Sequence, residues 1–218
     1  MAAPLHERFD IATVEVSIAG RRYELLKPRD ADALLDEEEF EHDDRIPYWA
    51  ELWPSARVLA ELLAKQADCN RRLIELGCGV GLASLAAQAA GFDVLATDYY
   101  DDALDFVRAN AQRNQLGEIA TRMVDWRHLP DDLGRFDLVV AADVLYERPN
   151  SALVAATILH SLAAHGEALV TDPRRGAAAG FADECRRREL LVRQSEIPIM
   201  VDGKDYTIDL YRISRSGS

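Results

Sequence analysis

Three glycines, an acid just ahead of them and a second acid 21 residues beyond the first glycine are the densest chemical signal in the sequence. Residues 73–81 read Leu-Ile-Glu-Leu-Gly-Cys-Gly-Val-Gly, an apolar run that ends in Gly77, Gly79 and Gly81 and leads into an amphipathic stretch. Glycine permits positive φ and lets backbone come close to a ligand at the carboxyl edge of a sheet. The start of the following helix offers unpaired N–H groups and a partial positive charge. Asp98 closes the next apolar run, where a carboxylate can accept bonds from ribose hydroxyls. The pattern predicts a nucleotide-containing ligand. A dinucleotide fingerprint would place its third glycine at position 82, which is Leu82, so a dehydrogenase is disfavoured. Glu75 is ill placed for a pyrophosphate and suits a ligand carrying an ammonium and a sulfonium.

The elements that must position these residues follow from periodicity. Apolar runs at 73–76, 94–97, 119–124, 138–142 and 168–171 read as strands. Amphipathic stretches at 82–90, 102–113, 151–164 and 177–188 read as helices between them, and residues 55–66 as a helix opened by Pro54. Strands this apolar, alternating with helices, predict a parallel sheet covered on both faces: an α/β, doubly wound fold. Residues 206–213 alternate with no helix after them and read as an antiparallel edge strand. At the N-terminus, 12–18 and 22–26 flank Ala19-Gly20 and read as a β-hairpin. We place this hairpin and the acidic segment after it in an N-terminal unit, residues 1–45, ahead of a main domain at 46–218.

At this point the motifs resemble a known family. ELGCGVG at 75–81 is similar to motif I of the class I (seven-strand) S-adenosylmethionine-dependent methyltransferases, and Asp98 to their ribose-binding acid. PYWAELWPSA at 47–56 resembles the Trp-containing approach segment of the protein-lysine methyltransferase branch. Asp125-Trp126 resembles its DW pair, DVLY at 143–146 its D/E-x-x-Y motif, and TDPR at 171–174 the segment after its fifth strand. That branch groups the electron-transfer-flavoprotein β-subunit lysine methyltransferases with nicotinamide-type N-methyltransferases. The resemblance runs from about residue 45 to the C-terminus and implies a mostly parallel seven-stranded sheet. It implies S-adenosylmethionine as cofactor, contacted by Trp53, Glu75, Gly77, Cys78, Gly79, Gly81, Asp98, Tyr99, Asp125, Trp126 and Ala142. Asp143 and Tyr146 become the candidate catalytic residues. Asp143 would hold an incoming ammonium, and Tyr146 would form one wall of a narrow aromatic channel. Cys78 fits as a small filler of the loop, Trp53 as either core or a cofactor contact. The implied reaction is methyl transfer to a lysine ε-amine of a protein; the alternatives are methylation of a small amine or a cofactor-binding scaffold without catalysis.

Composition narrows the partners. The 218 residues carry a formal net charge of −13, which repels a polyanion and argues against nucleic acid as partner. A basic protein substrate suits it better. Residues 30–44 hold nine acids and no Lys or Arg, which reads either as a solvated loop or as an electrostatic lip for such a substrate. Arg174 or Arg175 could salt-bridge that stretch, and Arg186 to Arg188 close a helix whose dipole they complement. No apolar run is long enough for a membrane span. Cys69, Cys78 and Cys185 form no CxxC pair and no HExxH occurs, so neither a disulfide framework nor a metal site is expected, and a reducing cytoplasm fits.

Overall fold

Alternate residues of each central strand face opposite layers, and that alternation builds the molecule. The computed structural model describes residues 3–31, 34, 48–66 and 70–216. Of the nine acids at 30–44 only Asp30 lies among them; the electrostatic lip and Cys69 fall outside the described residues. Leu73 of β3 (Arg72–Leu76), Leu138 and Val140 of β6 (Phe136–Ala142) and Leu169 of β7 (Leu162–Asp172) point into one cluster. Ile74, Leu76, Val139, Ala141 and Val170, their neighbours along the same strands, point into another. The first cluster is completed by α2 (Pro54–Ala64), α3 (Leu82–Ala89) and α4 (Asp101–Arg113). The second is completed by α5 (Arg148–Ser161) and α6 (Phe181–Arg187). The sheet is therefore wound on both faces, as its apolar strands require.

Strand order is β5-β4-β3-β6-β7-β9-β8, with β4 at Asp93–Asp98, β5 at Ala120–Met123, β8 at Leu190–Val201 and β9 at Lys204–Arg215. The first five run parallel; β9 is antiparallel to β7, and β8 to β9. The order reverses between β3 and β6, so the crevice beyond their carboxyl ends is where such a sheet binds ligands.

Three expectations are corrected by the structure. The strand at 206–213 is antiparallel but not an edge: it is the middle of β9, and β8, which the sequence pattern does not announce, takes the edge. Only Leu190 and Val201 of β8 are buried, so its one-sided exposure hides the strand signal. The helix at 151–164 is shifted to Arg148–Ser161, because Pro149 favours a helix start and β7 begins at Leu162 without a loop. The stretch 177–188 breaks into a 3₁₀ turn at Gly176–Ala178 and the helix α6, separated by Gly180 at φ +99°. On α6 the arginines pair within the chain, Arg186 with Asp183 and both Arg187 and Arg188 with Glu184.

The N-terminal hairpin, β1 (Ile11–Ile18) and β2 (Arg21–Pro28), follows the one-turn helix α1 (Leu5–Arg8) and shares the main core, since Val16, Ile18, Tyr23 and Leu25 join the cluster formed by α2 and α3. Its outer strand is held by side chains. Asn114 accepts from the Glu24 amide at 2.9 Å and donates to the Glu24 carbonyl at 2.8 Å. Asn110, one helical turn earlier, does the same for Leu26 at 2.7 and 3.0 Å and also donates to the Val80 carbonyl at 2.9 Å. Asn110 is fully buried and ties the hairpin to the glycine loop. Asn110→Leu leaves buried amide and carbonyl groups unpaired and should cost on the order of 2–4 kcal/mol. Urea unfolding checks this, and a variant as stable as the parent refutes the tie.

Candidate active site

Four acids close four adjacent parallel strands, or follow directly upon them, at one edge of the sheet. Glu75 on β3, Asp98 on β4, Asp143 after β6 and Asp172 on β7 are all buried. By the parallel register Glu75 pairs with Ala96 on one side and Val140 on the other, so Asp98 and Asp143 stand two and three residues nearer the carboxyl edge. Beyond them lies a cavity of about 660 Å³, within the range of small-molecule sites. Trp53, Glu75, Gly77, Cys78, Gly79, Gly81, Asp98, Tyr99, Asp125, Trp126, Ala142, Asp143 and Tyr146, every residue singled out from the sequence, line it.

At one end the glycine loop forms the floor. Gly79 has φ +51°, and a Cβ there would lie 2.9 Å from the Trp49 carbonyl oxygen. Gly77 at φ +68° would meet Val144 at 2.9 Å, with the Trp126 ring 3.5 Å away. Both positions therefore need glycine for conformation and for space. Asp98 is fixed by the Gly79 amide at 2.9 Å and the Tyr100 amide at 3.1 Å, one to each carboxylate oxygen. Each oxygen keeps lone-pair capacity for a further donor. Burial raises its pKa, and those amide bonds oppose the shift. Glu75 receives the Ser84 hydroxyl, and burial pushes its carboxyl up to about 8. It is thus largely protonated at neutral pH until a cation stands beside it.

Tyr99 and the DW pair form a side wall. Asp125 holds Arg127 through three contacts of 2.8–3.1 Å, which keep its carboxyl well below the usual range. The Arg127 guanidinium lies 5.4 Å from the Tyr99 ring centroid. Arg127 also lines the cavity, although no motif in the sequence marks it as a site residue.

The other end is aromatic. Trp53 donates its indole N–H to the Tyr48 carbonyl at 3.0 Å, and the Tyr48 ring lies 4.7 Å from Tyr146. Trp53 thus belongs with Tyr146, while Trp49 is the tryptophan that abuts the glycine loop. Asp143 sits in the left-handed region at φ +59°, with its amide donating to the Thr171 carbonyl at 2.9 Å. Its carboxylate is already engaged: Oδ1 accepts from Arg175 Nε at 2.5 Å and Oδ2 from the Ser55 hydroxyl at 2.8 Å. Arg175 therefore pairs with Asp143, and Arg174 lies near Glu196 and Asp209. Ser55 and Arg175 were not foreseen as site residues, since their sequence neighbours carry no sign of Asp143.

A family model described as lysine methyltransferase matches residues 38–184. The chain belongs to the lysine methyltransferase family. The electron transfer flavoprotein beta subunit lysine methyltransferase of Xenopus laevis is 30% identical over 133 residues, 59% of this chain and 53% of that protein. The protein-lysine methyltransferase METTL21E of Mus musculus is 36% identical over 115 residues, 47% of each. The chain spans about half the length of these curated relatives. Among solved structures, a TehB-like SAM-dependent methyltransferase from Corynebacterium glutamicum superposes with a TM-score of 0.57 at 19% identity, covering 82% of this chain and 97% of that one. At that identity the likeness is one of fold, and it extends to the doubly wound sheet that carries the cavity.

The Glu75 shift has a measurable consequence in this lysine methyltransferase-family fold. A carboxyl raised in the folded state stabilises the fold fully below its unfolded pKa, and that contribution is lost as pH rises through about 8. The ligand-free protein should therefore lose stability relative to Glu75→Gln from about pH 4.5 upward, levelling off above pH 8. Parallel stability curves for the two proteins in denaturant titrations at pH 5, 7 and 9 would refute the assignment.

Proposed function

We propose that this protein transfers a methyl group from S-adenosylmethionine to a lysine side-chain amine of a protein substrate. The observation that carries the reading is the sign of the cavity. Among the described residues Glu51, Glu75, Asp98, Asp125, Asp143 and Glu147 line it with Arg127; Lys27, Arg127 and Arg175 pair with Glu51, Asp125 and Asp143, which leaves Asp98, Glu147 and the ionisable Glu75 to meet a cation. Such a site favours cations, and both the cofactor and a lysine are cationic. The residues present fit the cofactor. Asp98 has free acceptor capacity for ribose hydroxyls, Glu75 a buried carboxyl that an ammonium would ionise, and Tyr99 and Trp126 flat faces for a purine.

When bound, S-adenosylmethionine supplies an electrophilic methyl group. The protein must then present a neutral amine in line with it, although a free lysine has a pKa near 10.4. Tyr48, Trp53 and Tyr146 line the acceptor end; apolar walls strip water from the amine and lower its pKa, favouring the nucleophilic form. The formal net charge of −13 favours approach of a basic partner. We assign the catalytic unit to residues 46–218 and an N-terminal unit to residues 1–45, whose hairpin β1–β2 packs on the main core. A reducing cytoplasm suits Cys78 and Cys185, both buried free thiols.

Purified protein, methyl-labelled S-adenosylmethionine and cell lysate should give labelled protein bands that hydrolyse to methyl-lysine. Label confined to small molecules would replace this reading with small-amine methylation. Asp98→Ala should weaken cofactor binding by about 1–3 kcal/mol, read by calorimetry. Unchanged affinity would remove Asp98 from the cofactor site.

A further inference from the structure

Among the described residues the pairing of Asp143 with Arg175 is the best-buried ion pair at the cavity. The Asp143 side chain is 2% exposed and that of Arg175 28%. The guanidinium also lies 4.8 Å from the centroid of the Trp53 ring. Its backbone amide donates to Asp172 Oδ1 at 2.7 Å, which fixes the turn after β7. On the far side of Asp143, Ser55 is pinned in turn, because the Thr171 hydroxyl donates to the Ser55 carbonyl at 3.0 Å. One guanidinium thus satisfies the carboxylate and braces the aromatic wall.

The chemistry of the acceptor gives this arrangement a purpose. The amine attacks the methyl carbon with its lone pair, and the electron pair of the sulfur–carbon bond stays with sulfur. The surplus proton of the ammonium must leave to solvent beforehand. A free carboxylate beside that ammonium would favour its charged form and hold the proton on nitrogen. We infer that Arg175 is a positioning residue for methyl transfer: by occupying Asp143 and bracing Trp53, it makes the acceptor amine enter among aromatic faces and not against a free carboxylate. The inference rests on the lysine-methylation reading.

Other titratable groups surround the pair. Asp172 of β7 has its carboxyl pushed up to about 6 by burial, Glu147 lines the same cavity ahead of α5, and Tyr48 and Tyr146 complete the wall. Arg174 contacts Glu196 on β8 and Asp209 on β9. Asp172 feels both Asp143 and Arg175, so the double variant below, in which the pair is gone and Asp172 remains, separates its contribution from theirs.

The test is the pH dependence of kcat on a lysine peptide or protein identified by labelling, with cofactor affinity and thermal unfolding measured for each variant. Arg175→Gln frees the Asp143 charge. The rising limb of kcat should move up by about one pH unit, with kcat at pH 7 falling roughly tenfold and substrate KM falling as well. Arg175→Lys keeps a cation at the site and should hold the limb near its wild-type position. Adding Asp143→Asn to Arg175→Gln removes the freed carboxylate and should bring the limb back. A limb unmoved in Arg175→Gln, or a kcat that rises at pH 7, overturns the inference. Should Arg175→Gln not fold, Asp143→Asn alone decides: a large rise in KM there means that the carboxylate holds the ammonium itself, while an unchanged KM sustains the pairing role. If the wild-type protein labels no lysine, the functional reading fails first, so the two failures are distinguishable.

Discussion

Crowding carboxylates at one edge of a sheet is the constraint on which this architecture turns. Parallel strands deliver Glu75, Asp98, Asp143 and Asp172 to the same carboxyl edge, all buried, with Glu75 two to three residues deeper than the others. Four such groups cannot all be ionised without help, because burial penalises charge and like charges repel. Each receives a different form of relief. Asp98 takes two backbone amides, Asp143 a guanidinium and a hydroxyl, Asp172 the amide of the turn beyond it. Glu75 has the hydroxyl and the backbone amide of Ser84 and still keeps its proton near neutrality. It stands beside the glycine loop, where a cationic ligand would complete the set.

The glycine loop obeys the same economy of space. Trp49, Val144 and Val107 press on it from three directions, and at each contact a Cβ would be 2.9 Å from its neighbour. The loop is therefore moulded by protein on its outer side, so that its ligand-facing side is fixed before anything binds. Trp49 is itself packed between Phe9 and Phe106, and Lys27 of β2 reaches Glu51 at 2.6 Å. The N-terminal residues consequently shape the site without lining it.

How far the sequence reveals all this depends on the range of each interaction. Gly77, Gly79, Asp98, Asp125 and Asp143 follow strand ends, and strand ends can be read from apolar runs, so these residues were legible as one site. Ser55 and Arg175 were not, because their link to Asp143 spans 88 and 32 residues and exists only after β6 and β7 pair. Strand β8 was hidden for a related reason: at the rim of the sheet its residues serve solvent on one side, and no periodicity marks them. Helix boundaries slipped where a proline or a positive-φ glycine overruled the amphipathic pattern, at Pro149 and Gly180.

The two asparagines at the end of α4, Asn110 in its last turn and Asn114 at its C-cap, have a consequence for solubility. A two-stranded ribbon would ordinarily offer its outer rim to any passing β-strand, a common origin of aggregation. Here the amide side chains of Asn110 and Asn114 occupy successive outward-facing pairs of N–H and C=O groups on β2, acting as rungs of a third strand without supplying a backbone. A helix thereby caps a sheet edge at Glu24 and Leu26, and another copy of the chain finds no open ladder there to extend.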